Sequence, residues 1–125
     1  IVALRKLDQY RGNSMWIPEK QKQFYSGVTD TLREYMASRY GISAMEMTTA
    51  EIFDGMKSSD VPSDLLAVVK ELFERADFVK FAKYVASEED NASVLPVAVR
   101  FVTETYQAEL EEEEAAATNE TEGGE

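Results

Sequence analysis

Carboxylates, amines, guanidinium groups and phenols make up nearly all the reactive chemistry of this chain. It holds 24 Asp and Glu, 13 Lys and Arg and 6 Tyr, with no histidine and no cysteine. Without imidazole there is no serine–histidine pair, no imidazole zinc site and no ordinary proton shuttle near neutral pH. Without thiols there is no disulfide and no thiolate metal site. A carboxylate hydrolase needs two acids projecting into one cleft at a defined separation. The acids available in the body of the chain include Asp30, Glu34, Glu46, Glu51, Asp54 and Asp77. Their positions suit solvated helix faces and helix caps. The glutamate run 111–114 lacks the alternating ligands and the obligatory glycine of an EF-hand. Gly12, Gly27, Gly41 and Gly55 stand singly, so no glycine loop cradles phosphate. Catalytic residues, cofactor ligands and metal ligands are therefore each assigned as none.

What remains is recognition. Asp77, Lys80, Lys83 and Tyr84 decorate an aromatic segment, 76–85. Asp77 and Lys80 are close enough in a helix to pair, and Lys80 with Lys83 could hold a phosphate or an acidic partner. Tyr25, Arg33 and Arg39 lie on the longest helical pattern in the chain. These seven residues are the candidate partner-binding set.

The elements that must position them follow from apolar spacing. Residues 1–11 suggest a short helix with Val2, Ala3, Leu4 and Leu7 on its apolar side. Gly12, Asn13 and Ser14 suit a turn, and Trp16 is expected to pin the following connection to the core. Phe24, Val28, Leu32, Met36 and Tyr40 recur in steps of four, which predicts a helix over about 19–40. Gly41 is its natural left-handed stop. Gly27 within it marks an expected close helix–helix approach. Thr48 followed by Glu51 is a capping box opening a helix at 49–57. Pro62 then opens a helix over 62–76, whose seven apolar residues predict the most buried, central element. Segment 76–85 fits a helix better than a strand: as a helix, Phe78, Phe81, Ala82 and Val85 share a core face. Residues 87–91 read as a polar loop, with Ser93 capping a last helix that holds Pro96 in its first turn.

Eight acids and no bases fall in 109–125, so the body carries only about −3 of the net −11. Residues 1–108 are expected to form one helical domain and 109–125 a frayed or disordered acidic tail. Neither part suits nucleic acid, whose affinity comes mainly from Lys and Arg on phosphates. A winged helix-turn-helix is the competing shape, with helices at 19–40, 49–57 and 62–76 and a wing strand at 78–85. Its third helix offers Ser63, Asp64, Lys70, Glu71, Glu74 and Arg75, a poor base-reading set. The expected fold is an all-α, single-domain bundle of four or five helices, with a winged-helix-like arrangement of the three core helices as a variant.

Several ordered blocks carry a family resemblance: ALRKLD at 3–8, FY at 24–25 with TDTLREY at 29–35, RYGI at 39–42, AMEMTTAEI at 44–52 and ADFVKFAK at 76–83. Together they resemble the C-terminal cytoplasmic helical domain of BatD-like membrane proteins of Bacteroidetes. That family sits in aerotolerance gene clusters with a MoxR-type AAA+ ATPase and von Willebrand A-domain proteins. The resemblance implies a place at the cytoplasmic face of the inner membrane, tethered by an anchor upstream of Ile1, with those proteins as partners; the full core, the missing catalytic inventory and the aromatics beside lysines give the expected role, a non-catalytic protein-interaction module. It assigns no catalytic residue. The acidic tail lies outside it, and Pro18 departs from its pattern. Nucleic-acid binding and a small carboxylate-dependent hydrolase are the alternatives.

Overall fold

A computed structural model describes residues 2–11 and 18–123; the expected turn at 12–14 and the anchoring of Trp16 lie outside the described residues. Five α-helices are present among them: α1 (Val2–Asp8), α2 (Pro18–Tyr40), α3 (Thr49–Met56), α4 (Ser63–Phe81) and α5 (Glu88–Gly123). A single 3-10 turn (Ala44–Glu46) precedes α3. No strand occurs among the described residues, so the architecture is an all-α bundle and no wing is formed.

The hub is α2, not α4 as the apolar density of 62–76 suggests. α2 packs against α1, the 3-10 turn, α4 and α5, whereas α3 packs on α4. Phe24, Tyr25, Val28, Leu32 and Met36 are all buried, and Thr29 and Thr31 widen the dry face by returning their hydroxyls to the Tyr25 and Gly27 carbonyls. Those internal hydrogen bonds let a threonine enter the core without an orphan polar atom. α4 buries one stripe, Leu65, Val69, Leu72, Ala76 and Val79 with Phe73 beside it, and leaves Lys70, Glu71, Glu74 and Phe78 in water.

Local signals fix several boundaries. Gly41 takes φ 68° and donates its N–H to the Ala37 carbonyl, ending α2. Thr48 accepts the Glu51 N–H at 3.2 Å while its own N–H donates to the Glu51 carboxylate at 2.9 Å. That reciprocal pair is the expected capping box, and the bond from the Thr48 N–H lowers the Glu51 pKa.

α5 begins five residues before the expected Ser93 cap. Ser87 accepts the Asp90 N–H at 3.1 Å, and Glu88, Glu89 and Asp90 fill the first turn. Acids there oppose the positive end of the helix dipole, so the supposed polar loop is a helix start. Pro96 consequently lies inside α5 rather than in its first turn, on an exposed face. Beyond the bundle α5 continues through the acidic segment to Gly123. There Arg39 of α2, seated over the Tyr40 ring, meets Glu109 at 3.5 Å and Glu112 at 3.7 Å. The neighbouring Asp60 carboxylate is the main cause of the raised Glu112 pKa.

One buried contact closes the bundle over a long loop in sequence. Gln21 of α2 donates its side-chain N–H to the Ala86 carbonyl at 3.1 Å and accepts the Ala86 N–H at 3.0 Å. Ala86 lies in the connection between α4 and α5 and is itself buried. Asn91 adds a longer donation to the same carbonyl, 3.5 Å. The primary amide thus replaces the backbone partners of a buried residue that lies outside any helix.

Gly27 marks a close approach, but by an aromatic ring rather than a helix. A β-carbon placed there would collide with the Tyr10 hydroxyl oxygen. Tyr10 is held edge-on to Phe24 at 5.8 Å.

Two outcomes follow for urea unfolding. Gln21→Leu leaves the Ala86 peptide without its main partners and should lower stability by about 2 kcal/mol; a loss under about 0.5 kcal/mol, the usual surface effect, would refute the clamp. Gly27→Ala should yield none of the propensity gain of about 1 kcal/mol that a helix interior normally gives, yet should recover it in a Tyr10→Ala background. Equal effects in both backgrounds would show that Tyr10 does not occupy this space.

Candidate functional site

The last turn of α4 and the loop after it carry the densest exposed apolar surface on the described molecule. Continuing the buried spacing 65, 69, 72, 76 leads to Val79, which is buried. Phe78 and Phe81 therefore turn outward, contrary to the shared core face expected for them. The helix stops at Phe81, so Ala82 and Val85 are not helical either. Phe78 is 59% exposed, Phe81 79%, Tyr84 46% and Val85 53%.

The chain reversal holds these side chains in place. The N–H groups of Ala82 and Tyr84 both donate to the Phe78 carbonyl, at 3.0 and 3.3 Å. Between them Lys83 adopts φ 55°, a left-handed conformation that a residue with a β-carbon rarely takes. The turn lays the Tyr84 ring against Phe78, with centroids 6.3 Å apart and planes at 61°. Two residues on, the Gln21 clamp fixes Ala86.

Two open grooves flank this end of α4. The first, about 570 Å³, runs between α2, the entry to α3 and α4; Arg33, Met45, Met47, Asp77, Lys80 and Phe81 line it, with Asp30 and Glu46 on the same concavity. Asp77 accepts the Thr49 hydroxyl at 2.7 Å, joining α3 to α4. The Lys80 ammonium lies 5.6 Å from the centroid of the Phe81 ring. The second groove, about 390 Å³, is lined by Glu71, Glu74, Arg75, Phe78 and Tyr84. Arg75 faces Asp90 of α5 at 3.8 Å.

The seven sequence candidates do not converge. Asp77, Lys80 and Arg33 share the first groove and Tyr84 lines the second. Lys83 is exposed at the turn between them. Arg33 is structural. Its guanidinium donates to the Ala44 and Met47 carbonyls and lies 5.5 Å from the Phe73 ring centroid, strapping the 3-10 turn to α2. Arg39 lines another cavity with Lys6, Glu34 and Glu109. Tyr25 is fully buried and is withdrawn from the partner-binding set. It sits beside the four-step stripe of α2, and the dry face is wide enough to include it. Burial raises its pKa, partly opposed by the nearby Arg75 charge.

Phe78, Phe81, Val85, Met45, Glu71, Glu74 and Arg75 lie at this surface but outside the candidate partner-binding set. For the two phenylalanines the signal was present, in the register of the α4 stripe. For Met45, Glu71, Glu74 and Arg75 it was not, because their grooves arise where separate elements meet.

No metal-binding group of three or more acids occurs among the described residues, and no helix there is long and apolar enough to cross a membrane. Comparison with known proteins finds no matching family model, no matching curated protein and no matching solved structure.

Because Lys83 bears a β-carbon in a left-handed turn, Lys83→Gly should raise stability by about 0.5–1 kcal/mol, and Lys83→Val should lower it. Urea midpoints measure both; a destabilised glycine variant would contradict the turn geometry.

Proposed function

We propose that this chain is a non-catalytic protein-interaction module whose recognition surface is the aromatic end of α4. The observation that carries this is concentration. Of the seven large apolar residues exposed among the described ones, four fall within 78–85, and Met45 lines the same groove as Phe81. Singly exposed apolar residues need no explanation, but a contiguous group beside charged residues is the usual mark of a contact surface. Rings fixed by a hydrogen-bonded turn lose little freedom on docking, which favours them as anchors.

The resemblance to BatD-like domains supplies the company for this surface. On that basis the partners are a MoxR-type ATPase or von Willebrand A-domain proteins, met at the cytoplasmic face of the inner membrane by a longer anchored protein. Asp30, Glu46 and Asp77 on one concavity are what a carboxylate hydrolase would require. Interaction is preferred because Asp77 already holds the Thr49 hydroxyl and the exposed surface beside it is apolar.

The test is calorimetric titration of the chain with the ATPase and A-domain proteins of its own genome. Binding should occur and should weaken about tenfold or more, at least 1.4 kcal/mol, in Phe81→Ser. No binding to any of them, or binding indifferent to Phe81, Phe78 and Tyr84 alike, would overturn the proposal.

A further inference from the structure

The second groove says more about what it would take. Its floor is aromatic, formed by the Phe78–Tyr84 pair. Its charged lining is Glu71, Glu74 and Arg75. The partly buried Arg75 guanidinium is partly neutralised by Asp90 of α5, 3.8 Å away. Glu71 and Glu74 are exposed and have no ion-pair partner among the described residues. They stand one turn apart on α4, so their carboxylates form a short negative edge along an apolar slot. The lining therefore has a surplus of negative charge, in a chain that is acidic as a whole, −11.

Resting on the interaction reading above, we infer that this groove takes a basic amphipathic segment of a partner protein: an apolar side chain resting on the Phe78–Tyr84 pair, with Lys or Arg about one turn away on Glu71 and Glu74. Charge complementarity selects this occupant. An acidic peptide, an anionic lipid surface or a nucleic acid would each bring negative charge against two unpaired carboxylates. A wholly apolar segment would leave both carboxylates unmatched beside a dry contact, which is unfavourable. Lys80, near Phe81, faces the other groove, so the two sides of this helix end differ in the charge they prefer.

The probe is a labelled helical peptide of Lys and Leu at the 3.6-residue period, with an analogue in which Glu replaces Lys, followed by fluorescence anisotropy. The full chain should bind the Lys peptide and ignore the Glu peptide. Phe78→Ser and the double variant Glu71→Gln/Glu74→Gln should each weaken binding about tenfold or more, whereas Glu113→Gln/Glu114→Gln, an equal charge change on α5, should change it less than about twofold. All these positions are exposed, and circular dichroism verifies the helical content of each variant. Equal losses in the two glutamine pairs would show diffuse charge attraction and sink the inference. So would indifference to Phe78→Ser, equal binding of the Glu peptide, or Phe78-dependent capture by anionic vesicles. If partner proteins bind through Phe81 but ignore Phe78, Glu71 and Glu74, this groove is excluded while the interaction reading stands. If the Lys peptide occupies the groove but those proteins do not bind, the groove stands and the named partners fall.

Discussion

The amide of Gln21 paired with the peptide of Ala86 is the constraint on which the functional end of this molecule depends. The α4–α5 connection has no regular structure of its own, yet its Ala86 is buried. A buried peptide group without partners is strongly unfavourable, and here a side chain from a helix 65 residues away meets both its donor and its acceptor. The net gain of such bonds in water is modest; the large energy appears only when one partner is removed. The clamp therefore acts mainly as a specification of where the loop must lie.

From that fixed point the surface follows. α4 ends at Phe81, Lys83 turns the chain through a left-handed conformation, and Ala86 is anchored at α2. Tyr84 and Val85 are suspended between two restrained points. The Tyr84 ring rests on Phe78, and the result is an ordered aromatic platform on a helix end rather than a mobile loop of apolar residues. Preorganisation of this kind makes a small surface effective in binding, because ordering is already done before a partner arrives. α2 serves the same platform from beneath: Tyr25 fills the space beside Arg75, and Arg33 straps the 3-10 turn that forms one wall of the first groove.

Much of the frame is legible in the sequence because its causes are local. The four-step stripe from Phe24 to Tyr40, the glycine stop at Gly41 and the Thr48–Glu51 box each depend on residues within a few turns of one another. The departures have equally physical roots. Hydrophobicity alone puts Phe78 and Phe81 inside, but a helix face is decided by register, and the register runs through Val79. Pro96 suggests a helix start, yet on the exposed side of α5 one missing N–H is tolerable and Ser87 caps the true beginning. Nothing in the sequence marks Gln21 as a core residue; its partner is a backbone group that only the tertiary fold brings near. Tyr25 is a candidate contact residue on the longest helical pattern, yet it lies beside the four-step stripe, and the dry face is wide enough to take its ring inside.

The most direct test of this account is native-state hydrogen exchange at the Ala86 amide. If the Gln21 clamp orders the platform, Ala86 should exchange only through large openings, with protection close to that of α2 core amides such as Val28 and Leu32. Exchange at the rate of an exposed loop amide, with the α2 core still protected, would mean that the connection opens freely and that the aromatic platform is not held in place.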